Sequence, residues 1–195
     1  MKILRVNPLP HAEVGNKYGD IIVLPETSIV RQGFPFFMPD WAPQWYFSFF
    51  IGSVITRLGK CIASGFASRY RGHTVLIAQA CPLSSTGEAL SLPEGFDGSI
   101  LLGNINDDKE SSIVISREPL KTNGQSSYME YICNLSPGYS SLIDDSIAYV
   151  SSLFTLHTGD IIIAGQISTH KIKCEPDTRL TARDSKGIIF THKIK

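Results

Sequence analysis

Short runs of β-branched and aromatic residues alternate with turn residues along most of the chain. Clusters of Gly, Pro, Asn, Asp and Ser separate these runs, which is the pattern of strands joined by turns. The runs cover residues 21–24, 46–55, 74–78, 112–116, 160–164, 178–182 and 187–191, and residues 1–6 add a further short strand. The polar stretches 103–112 and 120–127 predict surface loops. We therefore expect a mainly β protein.

One segment has the pattern of an amphipathic helix. Four apolar residues recur at helical spacing and would form one stripe: Ile143, Ile147, Val150 and Phe154. Ser141, with Asp144 three residues later, fits an N-terminal cap, and Gly159 follows the end of the pattern. Residues 141–154 are therefore predicted to form a helix packed on the strands, and a weaker apolar repeat predicts a second helix within 59–70.

Length and charge exclude several classes of protein. The chain has 195 residues, which is typical of one domain, and its 18 basic and 18 acidic residues give a formal net charge of zero. Basic residues are scattered, so we expect no nucleic-acid partner and no anionic-membrane partner. The Lys-Ile-Lys segments at 171–173 and 193–195 each predict a strand with one solvent-exposed face. The longest apolar run, 45–55, is too short to span a bilayer.

The cysteines and the first residues bear on the cellular compartment. The four cysteines are Cys61, Cys81, Cys133 and Cys174, and no two of them form a Cys-x-x-Cys motif. Four cysteines are too few for a disulfide framework in a chain of this size. The first residues have the pattern of a strand rather than of a secretory signal. These features predict a cytoplasmic protein with reduced thiols.

Common catalytic motifs are missing from the sequence. The histidines form no His-x-His or His-x-x-x-His pair for zinc, and Ser48 lacks a Gly-x-Ser-x-Gly frame. No Gly-rich phosphate loop occurs, and Cys81 is interpreted as a small buried hydrophobic residue rather than as a nucleophile. There is also no Asp or Glu between Asp40 and Glu88, so a long central region offers no carboxylate ligand.

Four segments together resemble a known family. Residues 31–40 read Arg-Gln-Gly-Phe-Pro-Phe-Phe-Met-Pro-Asp, 57–60 read Arg-Leu-Gly-Lys, and 96–99 read Phe-Asp-Gly-Ser. The fourth segment, 143–165, contains most of the predicted helix, a Gly-Asp pair that begins at Gly159, and a hydrophobic strand. A Gly-Asp pair alone is common in tight turns, which the aspartate caps. In this order and spacing the four segments resemble the short form of the fumarylacetoacetate hydrolase family.

The resemblance implies a fold and an assembly. The fold would be α+β and mainly β, the mixed β-sandwich roll of the C-terminal domain of fumarylacetoacetate hydrolase, as a single domain over residues 1–195. Residues 1–20 would correspond to a degenerate lid segment. The resemblance also implies a homodimer, and the aromatic residues concentrated in 34–37 and 41–50 favour an interface, because aromatic side chains are enriched in interface cores.

The resemblance implies a family that uses a divalent metal, but we do not expect this chain to bind one. Family members hold Mg²⁺, Mn²⁺ or Ca²⁺ with a Glu-x-Glu pair and a later Asp. By position these carboxylates correspond to Ser48, Phe50 and Gln79, which offer a hydroxyl, a ring and an amide. Hard cations prefer carboxylate oxygens. We therefore expect this chain to bind no metal cofactor at these positions.

Other positions of the family's pocket are also altered. A family lysine corresponds to Glu94, which reverses the charge, ahead of Asp97, and a Thr-Gly-Thr-Pro segment is replaced by one that contains Gln166. Near the N-terminus His11 keeps the place of a family histidine that activates water together with a glutamate, here Glu13. His11 could act as a general base, or it could be a surface-loop histidine without a role.

Two functions follow from these expectations. In the first, the protein has lost the metal and the ancestral catalysis, and is retained as a small-molecule-binding or structural protein, with a small carboxylate or 2-oxo acid as its ligand. In the second, it is an active hydrolase, decarboxylase or isomerase in the catabolism of 2-oxo acids such as acylpyruvates. That enzyme would use His11 and Glu13, with or without a metal recruited by Glu94 and Asp97.

Overall fold

The computed structural model describes residues 1–8, 18–88, 90, 94–105, 112–120, 128–135, 138–168 and 170–195. Their helices are α1 (Ser64–Ala67) and α2 (Tyr139–Leu153). Their strands are β1 (Ile3–Pro8), β2 (Tyr18–Leu24), β3 (Gln44–Ile55), β4 (Arg71–Leu83), β5 (Ile100–Asn104), β6 (Ser112–Pro119), β7 (Met129–Asn134), β8 (Ile161–Gln166), β9 (Ile172–Lys173), β10 (Thr178–Asp184) and β11 (Gly187–Ile194). The prediction of a mainly β chain is confirmed.

The strands form two sheets. The larger sheet has the order β2-β1-β8-β3-β4-β5, with β9 paired to β3, and the smaller sheet has the order β11-β10-β6-β7. Pairing is antiparallel except between β1 and β8, which are parallel. The segment after β2 runs along β5, where the backbone N–H of Val30 donates to the carbonyl of Ile100 at 2.8 Å. This contact brings the two edges of the larger sheet together into a roll.

Each face of the larger sheet covers its own hydrophobic core. One face packs against the smaller sheet and α2, and Phe47, Phe49 and Ile51 of β3 belong to this larger core. The other face lines the interior of the roll, where a smaller core contains Ile3, Leu24, Val75, Ile77, Ile100, Ile161 and Ile163. Because side chains of a strand alternate between faces, β3 contributes Phe50 and Val54 to this interior. The candidate site lies in the same interior.

Helix α2 confirms the predicted stripe and corrects its start. Ile143, Ile147 and Val150 are each 0% exposed, so they face the larger core as the spacing predicted, whereas Phe154 is half-buried and lies just after the helix. The helix begins at Tyr139, however, and its N-cap is Gly138, without a side-chain cap. Ser141 is therefore an ordinary first-turn residue and the predicted capping pair is wrong.

The second predicted helix is reduced to the four residues of α1. The start of the predicted range is held in an extended pairing instead, because Gly59 and Leu156 exchange backbone hydrogen bonds of 3.0 and 2.8 Å. Cys61 then takes a positive φ of 52° and donates its N–H to Ser151 at the end of α2. Tertiary pairing with Ser151 of α2 and with Leu156 after it therefore holds residues 59–61 in a non-helical conformation.

The seven predicted runs all lie within or overlap strands, most of them longer than predicted, while β5 and β7 were missed. β5 contains Gly103 and Asn104, which resemble loop residues in the sequence. A Cβ at Gly103 would lie 2.3 Å from the carbonyl oxygen of Ile189, so glycine is needed where β5 approaches β11. β7 is an edge strand with Ile132 65% exposed, and it therefore lacks a clear apolar alternation.

No helix in the described ranges is long and apolar enough to cross a membrane. All four cysteines are free thiols, in agreement with the absence of a disulfide framework. The predicted lid segment, residues 1–20, contains β1 and the start of β2, and residues 9–17 between them lie outside the described ranges. The lid itself remains a prediction.

Candidate functional site

A buried arginine on β1 is the centre of the candidate site. Arg5 is the inward partner of Ile163 on β8 and of Ile22 on β2, so its side chain enters the roll among aliphatic residues. Only 7% of the residue is exposed. A charged group that is this deeply buried is expected to be paired and hydrogen-bonded, because desolvation of an unpaired charge is costly.

The Arg5 guanidinium is held by three side chains. Its Nη1 donates to Gln79 Oε1 at 2.6 Å, its Nε donates to Asn7 Oδ1 at 3.1 Å, and its Nη2 contacts the Glu94 carboxylate. Gln79 in turn donates from Nε2 to the backbone carbonyl of Glu94 at 3.0 Å. The carbon of the guanidinium lies 5.4 Å from the centre of the Phe50 ring. These contacts therefore fix the orientation of the guanidinium, and the Glu94 carboxylate neutralises its charge.

Four of the site residues predicted from the sequence converge on this guanidinium or stand next to it. Ser48 and Gln79 are directly opposite each other on β3 and β4, and both are buried. Phe50 is half-buried in the same interior, and the Glu94 carboxylate closes the cluster from the segment before β5. Ser48 Oγ accepts a weak hydrogen bond from the Cys81 thiol at 3.6 Å. The structure thus brings together the positions that the resemblance connected with a metal.

The other predicted site residues have different surroundings. Gln166 pairs with Phe50 in register, but its side chain is exposed and donates to the carbonyl of Ser168 at 2.7 Å. It lines a cavity of about 250 Å³ near the start of α2. Asp97 is exposed and lines a separate cavity of about 270 Å³ with Arg31. His11 and Glu13 lie outside the described residues, so their predicted roles remain predictions.

The side chains present do not fit a divalent cation of the kind that the resemblance implies. Ser48 and Gln79 offer neutral oxygens, and the amide oxygen of Gln79 already accepts from Arg5. Among the described residues of the cluster, Glu94 is the one carboxylate, and it pairs with the guanidinium. In the part of the chain that the structure describes, no group of three or more His, Cys, Asp or Glu residues could hold a metal ion. A hard divalent ion needs several free carboxylate or carbonyl oxygens.

Sequence analysis missed Arg5, the residue on which this cluster depends. A signal was present, because Arg5 interrupts the apolar run Ile3-Leu4-Arg5-Val6 at a position that shares its face with Ile3. A single charge on the inward face of a strand is uncommon and indicates a buried partner. Sequence alone did not supply that partner, because Gln79 and Glu94 are 74 and 89 positions away in the chain.

The Gly159-Asp160 turn anchors the start of β1, close to Arg5. Gly159 has a φ of 91°, and Asp160 is 1% exposed. Its carboxylate accepts from the backbone N–H groups of Lys2 at 2.8 Å and His157 at 2.9 Å, and it pairs with the Lys2 ammonium at 2.9 Å. Burial acts to raise the pKa of Asp160, but these hydrogen bonds and the lysine hold the pKa below its usual value. The carboxylate is therefore ionised and structural.

Comparison with known proteins finds similarity in three-dimensional structure rather than in sequence. No protein-family model and no curated protein matches the sequence. Among solved structures, the chain is similar to a 5-carboxymethyl-2-hydroxymuconate delta-isomerase from Mycobacterium smegmatis, with a TM-score of 0.68 and 19% identity over 99% of this chain and 78% of that one.

Two further structures have nearly the same length as the chain. A Yersinia pestis protein assigned to the fumarylacetoacetate hydrolase family has a TM-score of 0.70 and 17% identity over 100% of this chain and 92% of that one. A fumarylpyruvate hydrolase from Pseudomonas aeruginosa, determined with Mn²⁺ and pyruvate, has a TM-score of 0.66 and 15% identity over 100% of this chain and 89% of that one. The chain therefore has the fold of fumarylacetoacetate hydrolase family proteins, as its sequence motifs predicted.

Proposed function

We propose that this protein works without the divalent cation used in the family and without the metal-dependent cleavage or isomerisation of 2-oxo acids. It would serve instead as a cytoplasmic small-molecule-binding or structural protein. The observation that carries the proposal is the Arg5 guanidinium, which is hydrogen-bonded to Gln79 and paired with Glu94 inside the roll.

Electrostatics supports this proposal. The cluster already contains one buried cation and the carboxylate that neutralises it, so its described residues leave no surplus negative charge for a second cation. A divalent ion beside the guanidinium would meet repulsion that is poorly screened in the interior of a protein. To bind metal, the cluster would have to release the Arg5 side chain into an apolar interior, and the loss of its partners there is costly.

The nature of the substituted side chains supports it as well. The fumarylpyruvate hydrolase structure was determined with Mn²⁺ and pyruvate. A cation in such an enzyme acts as a Lewis acid toward the oxygens of the substrate. At the corresponding positions this chain has Ser48, Phe50 and Gln79, and none of them carries a negative charge. Without a cation, these residues provide no comparable electrophile.

Metal binding and turnover test the proposal directly. Titration of the purified protein with Mn²⁺, followed by the EPR signal of free Mn²⁺, should show no stoichiometric site up to millimolar concentration. Fumarylpyruvate and acetylpyruvate should not be consumed with or without Mn²⁺. One bound Mn²⁺ per chain, or metal-dependent turnover of either substrate, would overturn the proposal.

The same assay tests the enzymatic alternative. A metal-free hydrolase, decarboxylase or isomerase based on His11 would consume a 2-oxo acid in the presence of EDTA, and His11→Ala would abolish that activity. His170→Ala is a suitable control, because His170 is an exposed histidine that stacks on Tyr131, outside the cluster. Activity that is lost in His11→Ala and kept in His170→Ala would replace the non-catalytic proposal with this alternative.

A further inference from the structure

A groove on the smaller sheet is separate from the Arg5 cluster. It has a volume of about 610 Å³ and lies between the segment 33–35 and strands β10 and β11. This volume is within the range of sites that hold small organic ligands, roughly 300–1,000 Å³. The side chains that line it include Phe34, Glu118, Arg179, Thr181, Ile188 and Lys193.

Two positive charges face each other across the groove's floor. Arg179 on β10 and Lys193 on β11 are direct cross-strand partners, and both line the groove. Side chains of directly opposed residues lie on the same face of a sheet, about 5 Å apart at Cβ, so like charges at such a pair destabilise it. The fold therefore contains a local electrostatic cost at this place.

Neighbouring carboxylates offset this positive charge only in part. Glu118, opposite Arg179 on β6, lies 3.4 Å from the guanidinium, and Lys195 pairs with Asp177 at 3.1 Å. Lys193 has no ion pair with any residue in the described ranges. The groove consequently keeps an excess of positive charge at the Lys193 ammonium, next to the Arg179 guanidinium.

Apolar and hydroxyl groups complete the groove. Phe34 is 61% exposed and Ile188 is 63% exposed, and these two side chains give the groove apolar walls. The hydroxyls of Thr181 and Thr191 lie 3.1 Å apart on the floor. The buried His192 ring donates from Nδ1 to the carbonyl of Phe34 at 3.0 Å and fixes that wall against β11. Apolar walls with a few convergent polar groups are typical of small-molecule sites.

We propose that this groove binds a small organic carboxylate with an apolar body. The carboxylate would lie between Lys193 and Arg179, where it offsets the repulsion between them, and the body would pack on Phe34 and Ile188. This site would give the proposed small-molecule-binding role a location. It nevertheless uses no residue of the Arg5 cluster, so the two proposals can fail separately.

Binding is tested with a matched pair of probes. Naphthalene-2-carboxylate and the neutral naphthalene-2-carboxamide share their apolar body, and inorganic phosphate supplies an anion without one. Amide chemical shifts of the ¹⁵N-labelled protein should move at 179–181, 188 and 191–193 with the carboxylate, and at least about threefold more weakly with the carboxamide. Equal binding of the carboxamide, or equal binding of phosphate, would overturn the proposal.

Two charge-removing variants add a readout that a structural role would not give. Lys193→Gln and Arg179→Gln should each weaken carboxylate binding at least about threefold. Without ligand, Lys193→Gln should raise the melting temperature, since it removes the repulsion. Arg183→Gln is the control: Arg183 lies on the same strand and pairs with Glu130, outside the groove. Lower stability of Lys193→Gln with unchanged binding would refute the proposal, whereas metal binding at the Arg5 cluster would leave it intact.

Discussion

At the scale of single residues, one buried cation organises the interior of the roll. Arg5 has three hydrogen-bonding partners and a ring beneath it, and each partner comes from a different part of the chain. Gln79 uses both ends of its amide, one toward Arg5 and one toward the backbone of Glu94. Because buried polar groups are costly when they lose a partner, the cluster should behave as a unit.

Removal of the Arg5 guanidinium should measure this cost. Arg5→Met keeps a side chain of similar length but leaves the amide oxygen of Gln79 buried without a donor. The free energy of unfolding should fall by about 2 kcal/mol, less than for a fully buried pair, because the half-exposed Glu94 can turn toward water. Urea denaturation measures the change, and Arg183→Met, at an exposed ion pair, should stay within about 0.5 kcal/mol. Equal effects of the two variants would contradict the prediction.

Asp160 makes the free energy of unfolding depend on pH in the acidic range. Its pKa in the folded protein is lowered below the unfolded value, so its ionised form contributes stability at neutral pH. That contribution is present above the unfolded pKa of about 4 and is lost as the pH falls through the folded pKa. Asp160→Asn should therefore be less stable than the parent protein at pH 7, and the difference should shrink at pH 3.

Chemical denaturation at the two pH values tests this prediction. Asp20→Asn serves as a control, because Asp20 is an exposed carboxylate on β2. The control should show no comparable difference at either pH. A stability difference between Asp160→Asn and the parent that grows on acidification would contradict the assigned direction of the pKa.

At the scale of elements, helix α2 depends on its apolar stripe more than on its ends. Its N-cap, Gly138, supplies no capping side chain, and its first turn has no acidic residue. The helix nevertheless buries Ile143, Ile147 and Val150 completely against the larger core. Burial of such side chains contributes roughly 1.5–3 kcal/mol each, which exceeds the value of a cap.

A charged residue in this apolar stripe should disrupt the packing of α2 on the larger core. Ile147→Asp places an unpaired carboxylate among aliphatic side chains and should reduce the free energy of unfolding by about 4 kcal/mol or more. Leu153→Asp lies on the same helix at a position that is 58% exposed and should cost below about 1 kcal/mol. Thermal and urea melts of both variants provide the comparison. A similar loss in the two would indicate that the stripe is not what secures α2.

At the scale of the whole molecule, the segment before β3 carries large exposed aromatic residues. Phe37 is 67% exposed, and Trp41 is 47% exposed although its ring contacts Trp45 and Phe96. Grouped exposed aromatic side chains are enriched at interfaces between proteins. The homodimer implied by the family resemblance remains a proposal, and this segment is where we expect part of its interface.

Sedimentation velocity can test the homodimer. The parent protein should sediment as a dimer at micromolar concentration, and Phe37→Glu should shift the population toward monomer. Phe66→Glu changes an aromatic residue that is 54% exposed on α1, away from this segment, and should leave the distribution unchanged. A parent protein that is monomeric at this concentration, or equal effects of both variants, would contradict the prediction.

Local patterns in the sequence determined the elements and the general fold. Runs of β-branched residues located most strands, and a spacing of three and four residues located α2, because these periods follow from backbone geometry within one element. Where the local pattern failed, a distant partner was responsible: backbone pairing with Leu156 keeps Gly59 out of a helix, and the close approach of β11 explains a glycine in β5.

The sequence also predicted a shared site for Ser48, Phe50 and Gln79, three positions without a carboxylate. Only the tertiary structure showed that the Arg5 guanidinium lies among these positions and that the Lys193 ammonium has no ion pair with the described residues. Arg5 reaches Gln79 because β1, β8, β3 and β4 are adjacent in the larger sheet, and Lys193 faces Arg179 because of the register of β10 and β11. Strand order and register depend on contacts between distant segments, and local residue patterns do not contain that information.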